Sequence, residues 1–436
     1  MIEKIAKKHE ISSFCVSSLG ESFVLLDEND EVLFPPMIYT DERGEEEARE
    51  IIAVLGEEKA FRISGVIPHA MYSVSKLLWI KKHHKDVYQK AKKLMLVGEY
   101  IGYLLSGQRI IDYSLASRTG MFDIEALEFS KEFTDAFNLS PDLFSKPMRA
   151  GTVVGKIRPE LVEQLGIKGD PILVLGSHDQ ICTALGAGVL KEGEAVDGMG
   201  TVECITTLFS KKPDDVEMGK MGYPCVPFAV EGLYCTYILN FSCGSTVNWL
   251  KKKIMHNYGG NDGNFYKYIE SQVPDAPGNL LLLPYLGGAG TPYQDGAARG
   301  AILGLSTDTS DGEIYRAIME GTSMEMRLNE DTVKKYAVNL SSLVATGGCA
   351  NSEKWMQIKS DIQGHPIKIL RSGEGGLCGC AMLSAVATGG AENLEAAKDI
   401  FVRYAKEFTP NTDERLKYES NYSKYKKIYK TIKEIL

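Results

Sequence analysis

One stretch, residues 172–188, constrains the fold more than any other part of the chain. A short apolar run ends at Gly176, and polar residues lead from it into a segment of small residues. This order predicts a buried strand, a tight turn and a helix that begins near Asp179. Open α/β sheets bind ligands at the carboxyl ends of their strands, where a carboxylate can accept a proton from a substrate hydroxyl. The alternative is that Asp179 only caps the helix.

Length and composition exclude several classes of protein. At 436 residues the chain is too long for one core, so two domains are expected. The net charge of −9, without a basic stripe, argues against nucleic acid and anionic membranes as partners. No apolar run is long enough for a membrane span, and the N-terminus lacks the apolar centre of a signal peptide. Nine cysteines without paired metal spacing indicate reduced thiols in a cytoplasm, and no metal-ligating residues are predicted.

Strand-like and helix-like runs alternate through both halves of the chain. Residues 14–26 and 31–34 are predicted to form a hairpin. The character changes near residue 190, where strands separated by glycine-rich turns begin. We therefore expect an α/β protein with two domains, residues 1–190 and 191–436, and a cleft between them. Helices are predicted at 45–55, 73–84, 312–334, 354–363 and 376–388, and strands at 204–209, 233–239, 343–346 and 367–370.

Glycine-containing turns follow several of the predicted strands. They lie at residues 198–201, 243–246, 347–350 and 373–376. A glycine turn that opens a helix offers bare N–H donors and the positive helix end, both of which favour phosphate. Each turn by itself carries little weight, because most glycines simply form turns. No P-loop and no G-x-G-x-x-G motif after a strand is present, so those two phosphate-binding mechanisms are disfavoured.

Several motifs occur in a fixed order along the chain. Residues 112–122 read D-Y-S-L-A-S-R-T-G-M-F, and residues 176–180 read G-S-H-D-Q. Residues 284–305 contain P-Y-L and R-G-A-I-L-G-L, and residues 347–364 begin with G-G-C-A-N-S. Together these motifs resemble the FGGY family of carbohydrate kinases, which includes glycerol kinase and xylulokinase. The likeness runs from about residue 12 to the end of the chain.

The resemblance implies a fold and a reaction. The fold would be two ribonuclease-H-like domains of the actin and Hsp70 type with an interdomain cleft. Residues 1–190 would form the sugar-binding side, and residues 191–436 the nucleotide-binding side. The reaction would be the ATP- and Mg²⁺-dependent phosphorylation of a terminal hydroxyl of a small sugar or polyol, such as one like xylulose or glycerol. A homodimer is the expected assembly, because homodimers are the commonest oligomers.

The resemblance also implies roles for individual residues. Asp179 would be the general base, and Gln180 beside it would bind the substrate. Glu21, with Gly20 before it, and Tyr39 would complete the substrate site. The positions that match nucleotide contacts of the family are Gly200, Thr201, Gly244, Asn248, Gly348 and Ser352.

The residues themselves leave structural alternatives open. The alternative for Glu21 is a charged hairpin residue without a ligand, and the alternative for Tyr39 is a half-buried packing aromatic. Asp112 and Arg118 are expected to pair and hold their loop without touching a ligand. Trp355 is expected in the core.

Two departures from the family pattern limit the assignment. The D-x-G-[TS] motif, whose turn grips phosphates in family members, is absent before residue 190, so the first domain is expected to be truncated at its N-terminus. Gly20 stands where glycerol kinase has arginine, which weakens any specific case for glycerol. One rival interpretation is a catalytically silent sugar- or nucleotide-binding paralogue or fragment. Another is a chaperone-like or actin-like ATPase of the same fold.

Overall fold

The structure, a computed structural model, describes residues 2–255 and 262–435. Up to residue 190, which we call the N-terminal part, the strands are β1 Ser13–Ser18, β2 Phe23–Leu26, β3 Lys93–Leu96, β4 Ile110–Asp112, β5 Phe122–Asp123, β6 Glu128–Phe129, β7 Lys146–Met148, β8 Val153–Lys156 and β9 Ile172–His178. Its helices are α1 Ile2–Ala6, α2 Glu45–Leu55, α3 Glu57–Ser64, α4 Ser73–His83, α5 Lys85–Lys90, α6 Val97–Ser106, α7 Tyr113–Ser117, α8 Lys131–Ala136, α9 Pro159–Gln164 and α10 Asp179–Gly186.

The remaining residues form the C-terminal part. Its strands are β10 Glu194–Met199, β11 Glu203–Phe209, β12 Val226–Pro227, β13 Tyr234–Asn240, β14 Leu281–Leu283, β15 Ala301–Leu303, β16 Ser342–Thr346, β17 Ile367–Leu370 and β18 Tyr404–Phe408. Its helices are α11 Val216–Lys220, α12 Gly244–Trp249, α13 Asp262–Ser271, α14 Asp311–Val333, α15 Glu353–Gln363, α16 Gly375–Ala387, α17 Leu394–Phe401 and α18 Thr412–Lys433. The helices and strands expected from periodicity are confirmed to within a few residues.

A seven-stranded sheet, in the order β12-β13-β11-β10-β16-β17-β18, forms the centre of the C-terminal part. Strand β10 pairs in parallel with β16, which pairs in parallel with β17. Strand β11 is antiparallel to both β10 and β13, so β13 runs in the same direction as β10. The carboxyl ends of β10, β13, β16 and β17 therefore meet at one edge of the sheet, and a glycine turn follows each of these strands there.

The N-terminal part contains a smaller sheet in which β9 lies between β1 and β8. Strand β9 is parallel to β1 and antiparallel to β8. The predicted hairpin of residues 14–26 with 31–34 is confirmed only next to its turn, because β1 takes β9 as its partner and β2 pairs with β3. There, Leu26 forms an antiparallel bridge with Val32, and the N–H of Leu33 donates to the main-chain oxygen of Leu25 at 2.9 Å. Local alternation identified the strands but not their distant partners.

Helix α10 is fixed by very close packing against α16. A Cβ added at Gly186 would lie 1.9 Å from the main-chain oxygen of Gly375, and one added at Gly379 would lie 2.0 Å from that of Cys182. The absence of side chains at these glycines lets the two helix backbones touch. Since α10 begins at Asp179, this packing holds the start of the helix in place.

The predicted domain boundary near residue 190 lies between α10 and β10, and it stays a prediction. Within the described residues, no helix has both the length and the apolar character needed to cross a membrane.

Candidate active site

Asp179 is the first residue of α10 and directly follows strand β9. The predicted strand and helix are therefore confirmed, but the tight turn expected between them is absent, because α10 begins directly after β9. His178 occupies the N-cap position of α10 and makes no side-chain cap bond. The alternative in which Asp179 only caps the helix is therefore wrong. The Asp179 side chain is 48% exposed. The partial burial of this side chain raises the pKa of its carboxyl group, while the hydrogen bond from the N–H of Gln180 lowers that pKa.

A buried ion pair joins Glu21 to Arg118. The Nε atom of Arg118 lies 2.5 Å from Oε1 of Glu21, and Nη2 donates to the same oxygen. Burial alone would lower the pKa of Arg118, but the Glu21 carboxylate raises it. A Cβ at Gly20 would lie 2.7 Å from Cγ of Arg118, so the glycine makes room for the arginine. The expected pairing of Arg118 with Asp112 is wrong, because the guanidinium is held by a carboxylate from another segment.

Aromatic rings and a neutral histidine surround this pair. The Arg118 guanidinium lies 5.2 Å from the ring centre of Tyr72 and 5.9 Å from that of Tyr237. Burial lowers the pKa of His178 to about 3, so its ring is uncharged at neutral pH. Its Nδ1 lies 3.3 Å from the Tyr237 hydroxyl, and its Nε2 lies 3.4 Å from Oδ1 of Asp179. We call the residues Glu21, Tyr72, Arg118, His178, Asp179 and Tyr237 the aspartate cluster.

The aspartate cluster contains residues from both parts of the chain, since Tyr237 belongs to β13. Its electrostatics are also linked: Glu21 raises the pKa of Asp179 and Arg118 lowers it, after the larger effects of burial and of the Gln180 N–H. The carboxylates of Glu21 and Asp179 therefore influence one another through one polar region.

Asp112 holds in place the end of β9, the strand that leads to Asp179. Its carboxylate caps α7, accepting from the N–H groups of Ser114 and Leu115 at 3.0 and 3.2 Å. It also accepts from the Ser177 hydroxyl at 2.8 Å. The Ser114 hydroxyl in turn accepts from the N–H of His178 at 3.1 Å. Burial raises the pKa of Asp112 to about 6. This network fixes the end of β9 immediately before Asp179, so Asp112 positions the strand.

Tyr39 is a largely exposed residue of the loop before α2. Its side chain is 54% exposed, and none of the hydrogen bonds or ring contacts within the described residues involves it. The nearby Arg43 pairs with Asp41 through Nε at 2.9 Å and lies 5.1 Å from the ring centre of Trp79. The role of Tyr39 as a wall of the substrate site stays a prediction.

A cavity of about 700 Å³ opens at the carboxyl edge of the seven-stranded sheet. All six residues predicted to bind the nucleotide line it, namely Gly200, Thr201, Gly244, Asn248, Gly348 and Ser352. We call it the glycine-turn cavity. Its volume lies in the range usual for cofactor-sized ligands, about 300–1,000 Å³. Three of the four predicted turns contribute lining residues.

Two of these turns are bonded to one another. The main-chain oxygen of Gly200 accepts from the N–H of Gly244 at 3.0 Å, and that of Thr201 accepts from the N–H of Ser245 at 3.1 Å. A Cβ at Gly244 would lie 2.7 Å from the Gly200 oxygen, so glycine is needed for this approach. The expectation of bare donors is therefore wrong for Gly244 and Ser245, because both N–H groups are engaged within the protein.

The fourth turn, residues 373–376, does not line the cavity. It packs against α10 instead, where a Cβ at Gly375 would lie 3.1 Å from Cγ2 of Thr183. Strand β17, which precedes this turn, is separated from β10 by β16. The turn therefore positions the helix that carries Asp179, and its predicted contact with phosphate has no support from the geometry.

The cavity also contains residues that sequence reasoning did not identify. Tyr266, Glu270 and Tyr315 line it, together with Trp355. Trp355 is 1% exposed, as expected for a core residue, yet one side of it faces the cavity. Tyr266 and Glu270 lie on α13, whose ordinary amphipathic pattern gives no sign of a binding role. Only the folded chain brings these helices to the glycine turns.

The two regions are connected through the hairpin of β10 and β11. Helix α10 packs against both strands, and the turn between them carries Gly200 and Thr201. Burial raises the pKa of Cys204 on β11 to about 12, and the negative charge of Asp179 contributes to this shift. Asp179 is therefore close enough to act electrostatically on the strand that leaves the first glycine turn.

Within residues 2–255 and 262–435, no group of three or more His, Cys, Asp or Glu side chains could hold a metal ion. Mg²⁺ at kinase sites takes most of its ligands from phosphates and water, with one or two carboxylates. The requirement for Mg²⁺ thus stays a prediction, and we derive no step through the ion.

Comparison with known proteins identifies relatives along the whole chain. The chain is 26% identical to a xylulose kinase of Staphylococcus epidermidis over 441 residues, covering 100% of this chain and 86% of the relative. It is 28% identical to a gluconokinase of Bacillus subtilis over 417 residues, covering 91% of this chain and 79% of the relative.

Solved structures give the same picture for the fold. A ligand-bound xylulose kinase from Lactobacillus acidophilus superposes with a TM-score of 0.87 at 24% identity, covering 99% of this chain and 87% of that one. A glycerol kinase from Plasmodium falciparum with ADP superposes with a TM-score of 0.85 at 20% identity, covering 96% and 84%. These likenesses show the expected two-domain α/β fold of the actin and Hsp70 type.

Sequence models of one family match most of the chain. The model of the N-terminal domain of the FGGY family of carbohydrate kinases matches residues 1–186, and that of its C-terminal domain matches residues 198–388. Enzymes of this family transfer a phosphoryl group, generally from ATP, to a sugar. The chain belongs to the FGGY family of carbohydrate kinases.

Proposed function

We propose that this carbohydrate kinase phosphorylates a terminal hydroxyl of a neutral, open-chain sugar or polyol such as xylulose, with Asp179 as the general base. The observation that carries the proposal is the half-exposed carboxylate of Asp179 beside the buried pair of Glu21 and Arg118. Residues 1–190 would form the sugar-binding domain and residues 191–436 the nucleotide-binding domain. A homodimeric assembly and a cytoplasmic location stay predictions.

In this proposal Asp179 accepts the proton of the substrate hydroxyl. The hydroxyl oxygen forms a bond to the γ-phosphorus of ATP, the bond to the bridging oxygen breaks, and ADP leaves with the electron pair. The proton passes to a carboxylate oxygen of Asp179. The raised pKa of Asp179 supports this role, because a more basic carboxylate is a better proton acceptor. Gln180, the next residue of α10, would bind a neighbouring hydroxyl.

The nucleotide would occupy the glycine-turn cavity. Thr201 offers a hydroxyl group at the cavity turn whose two strands, β10 and β11, pack against α10, so we assign it to the phosphates. Gly348 lies in the turn after β16 and Ser352 caps α15, and the resemblance to the family assigns the adenosine to these two residues. The aromatic side chains of Tyr315 and Trp355 provide an apolar wall for the base. Gly244 would act through the shape of the turn, since its N–H is already engaged.

The charges of the aspartate cluster favour a neutral substrate. The cluster has two carboxylates, Glu21 and Asp179, against the single guanidinium of Arg118, and His178 is uncharged. A sugar acid would meet an excess of negative charge within the aspartate cluster, whose single guanidinium is already paired with Glu21. Both bonds from Arg118 go to Oε1 of Glu21. We therefore assign Oε2 of Glu21 to a sugar hydroxyl. This argument favours a xylulose-like substrate over gluconate.

A coupled assay of ADP release with ATP and Mg²⁺ tests the proposal. Xylulose, glycerol and gluconate would be compared at equal concentrations, and we expect the highest kcat/KM with the neutral ketose. Release of ADP that no sugar stimulates would point instead to an ATPase of the same fold. Sugar binding without ADP release would indicate a silent binding protein. A preference for gluconate would overturn the charge argument for the substrate.

A further inference from the structure

A lysine with two carboxylates lies fully buried behind the glycine-turn cavity. Nζ of Lys359 lies 2.8 Å from Oδ2 of Asp197 and also contacts Oε1 of Glu203. The exposed fraction of each of the three residues is essentially zero. Burial alone would lower the pKa of Lys359, but the two carboxylates raise it above its usual value, so the ammonium stays charged.

The two carboxylates lie on opposite strands of the hairpin that carries the first glycine turn. Glu203 on β11 is directly opposite Met199 on β10, and Asp197 precedes Met199 by two positions. Side chains alternate along a strand, and directly opposed residues share a face. Asp197 and Glu203 therefore project from the same face, next to the turn at Gly200 and Thr201. The ammonium of Lys359 holds the two strands together at that point.

Lys359 connects this hairpin to the third glycine turn. It lies on α15, one helical turn beyond Trp355, and α15 is capped by Ser352, whose hydroxyl accepts from the N–H of Trp355 at 3.2 Å. Trp355 and Ser352 both line the cavity. The ion contacts thus fix the start of α15 relative to the turn at Gly200.

The second glycine turn depends on the same hairpin. The main-chain oxygens of Gly200 and Thr201 accept from the N–H groups of Gly244 and Ser245. The position of α12, which begins at Gly244, is therefore set by the turn that the buried ion contacts hold. One ammonium group is linked in this way to all three turns of the cavity.

The carboxylates have few other partners. Among the described residues, Oδ1 of Asp197 and Oε2 of Glu203 lack any hydrogen-bond partner. Burial raises the pKa of Glu203 to about 7, which shows how weakly the site stabilises its negative charge. Without the ammonium, neither carboxylate would have its charged partner, and the contact that joins both strands of the hairpin to α15 would be lost.

We propose that Lys359, through Asp197 and Glu203, is a positioning residue for the nucleotide: it sets the relative placement of the glycine turns that form the cavity. The inference rests on the proposed function, in which the cavity binds the nucleotide. It does not require Lys359 to touch the ligand.

The test is Lys359→Met, compared with Lys76→Met in the full-length chain. Lys76 is equally buried, but its Nζ binds the main-chain oxygens of Asp41 and Ala70 in the N-terminal part. The KM values for ATP and for the sugar, the Kd for ADP by calorimetry and the thermal midpoint would be measured. We expect Lys359→Met to raise the KM for ATP and the Kd for ADP about tenfold or more. The KM for the sugar should stay within about twofold. The reason is that breaking a buried charge pair costs well over 1.4 kcal/mol, which is the equivalent of a factor of ten.

The control separates positioning from loss of stability. Lys76→Met should lower the thermal midpoint while the Kd for ADP stays within about twofold of the original value. Equal ADP affinity in Lys359→Met and the unsubstituted protein would overturn the inference, as would an equal loss of ADP affinity in Lys76→Met. If the unsubstituted protein itself binds no ADP, the proposed function fails, which is a distinct outcome.

Two milder variants keep the test decisive if Lys359→Met does not fold. Glu203→Gln retains an oxygen for the ammonium, and the Kd for ADP should stay within about twofold. Glu203→Ala removes the contact but leaves Asp197 to neutralise the lysine, so the Kd should rise by only about threefold, less than for loss of a whole charged hydrogen bond. Unchanged ADP affinity in Glu203→Ala would contradict the proposal.

Discussion

The aspartate cluster and the glycine-turn cavity are built in different ways. The cluster brings together charged and aromatic side chains from segments far apart in the chain, and its members are held by direct contacts such as that of Glu21 with Arg118. The cavity is formed by short turns at the ends of strands that run in the same direction, and glycine allows their close approach. The first region acts through charge, and the second through shape. Substitutions in one should therefore leave the ligand of the other largely unaffected.

The largest expected effect is that of Asp179→Asn. The amide cannot accept the proton, so we expect kcat to fall about a thousandfold, within the range of about 10²–10⁴ typical for loss of a general base. The Kd for ADP should not change, because the cavity is intact. The measurements are ADP release and ADP calorimetry. The same change at Asp170, an exposed partner of Lys156, is the control and should be neutral. Near-normal turnover of Asp179→Asn would remove the assignment of the base.

The next largest effect is expected for Arg118→Met. The substitution leaves the buried Glu21 without its partner, which costs about 3–5 kcal/mol of the free energy of unfolding. The displaced carboxylate should raise the sugar KM about a hundredfold, while the ATP KM changes little. Chemical denaturation and steady-state kinetics measure the two effects.

The control for this prediction is Arg49→Met, which breaks an exposed pair with Glu45 and should cost less than about 1 kcal/mol. If Arg118→Met raised the ATP KM as much as the sugar KM, the two regions would not be separable, and the comparison between them would be wrong.

A smaller effect in the opposite region is expected for Gly244→Ala. The added methyl group would meet the Gly200 oxygen at 2.7 Å and push two turns apart. Overpacking of this kind costs about 1–3 kcal/mol, so the Kd for ADP should rise about tenfold with the sugar KM unchanged. Gly373→Ala is the matched control, since a Cβ there would have no neighbour within 4 Å. Calorimetry with ADP distinguishes them, and equal affinities in the two variants would contradict the role of shape.

The smallest effect is expected for Tyr39→Ala. Because the ring is largely exposed, we expect the sugar KM to change by less than about twofold, in line with surface substitutions worth about 0.5 kcal/mol. Steady-state kinetics with the best sugar gives the answer. A tenfold rise in KM would show that Tyr39 reaches the sugar when the substrate is bound, and the aspartate cluster would then have to be extended to the loop before α2.

Local structure was predictable wherever neighbours in the chain decide it. The helix expected at residues 45–55 is α2, Glu45–Leu55, and the strand and helix expected on either side of Asp179 are β9 and α10. The six predicted nucleotide positions line one cavity, because the ends of strands running in the same direction bring the turns together. The hairpin predicted near residue 30 is present only next to its turn for the converse reason: β1 and β2 take partners from distant segments.

The sequence by itself determined the helices and strands, the place of Asp179 between a strand and a helix, and the family to which the chain belongs. The tertiary structure alone decided which charges pair: Arg118 with Glu21, 97 positions away, and Lys359 with Asp197 and Glu203. The physical reason is range. Periodicity and turn chemistry act over a few residues, whereas a charge removed from water must find its partner among whatever segments the fold brings beside it.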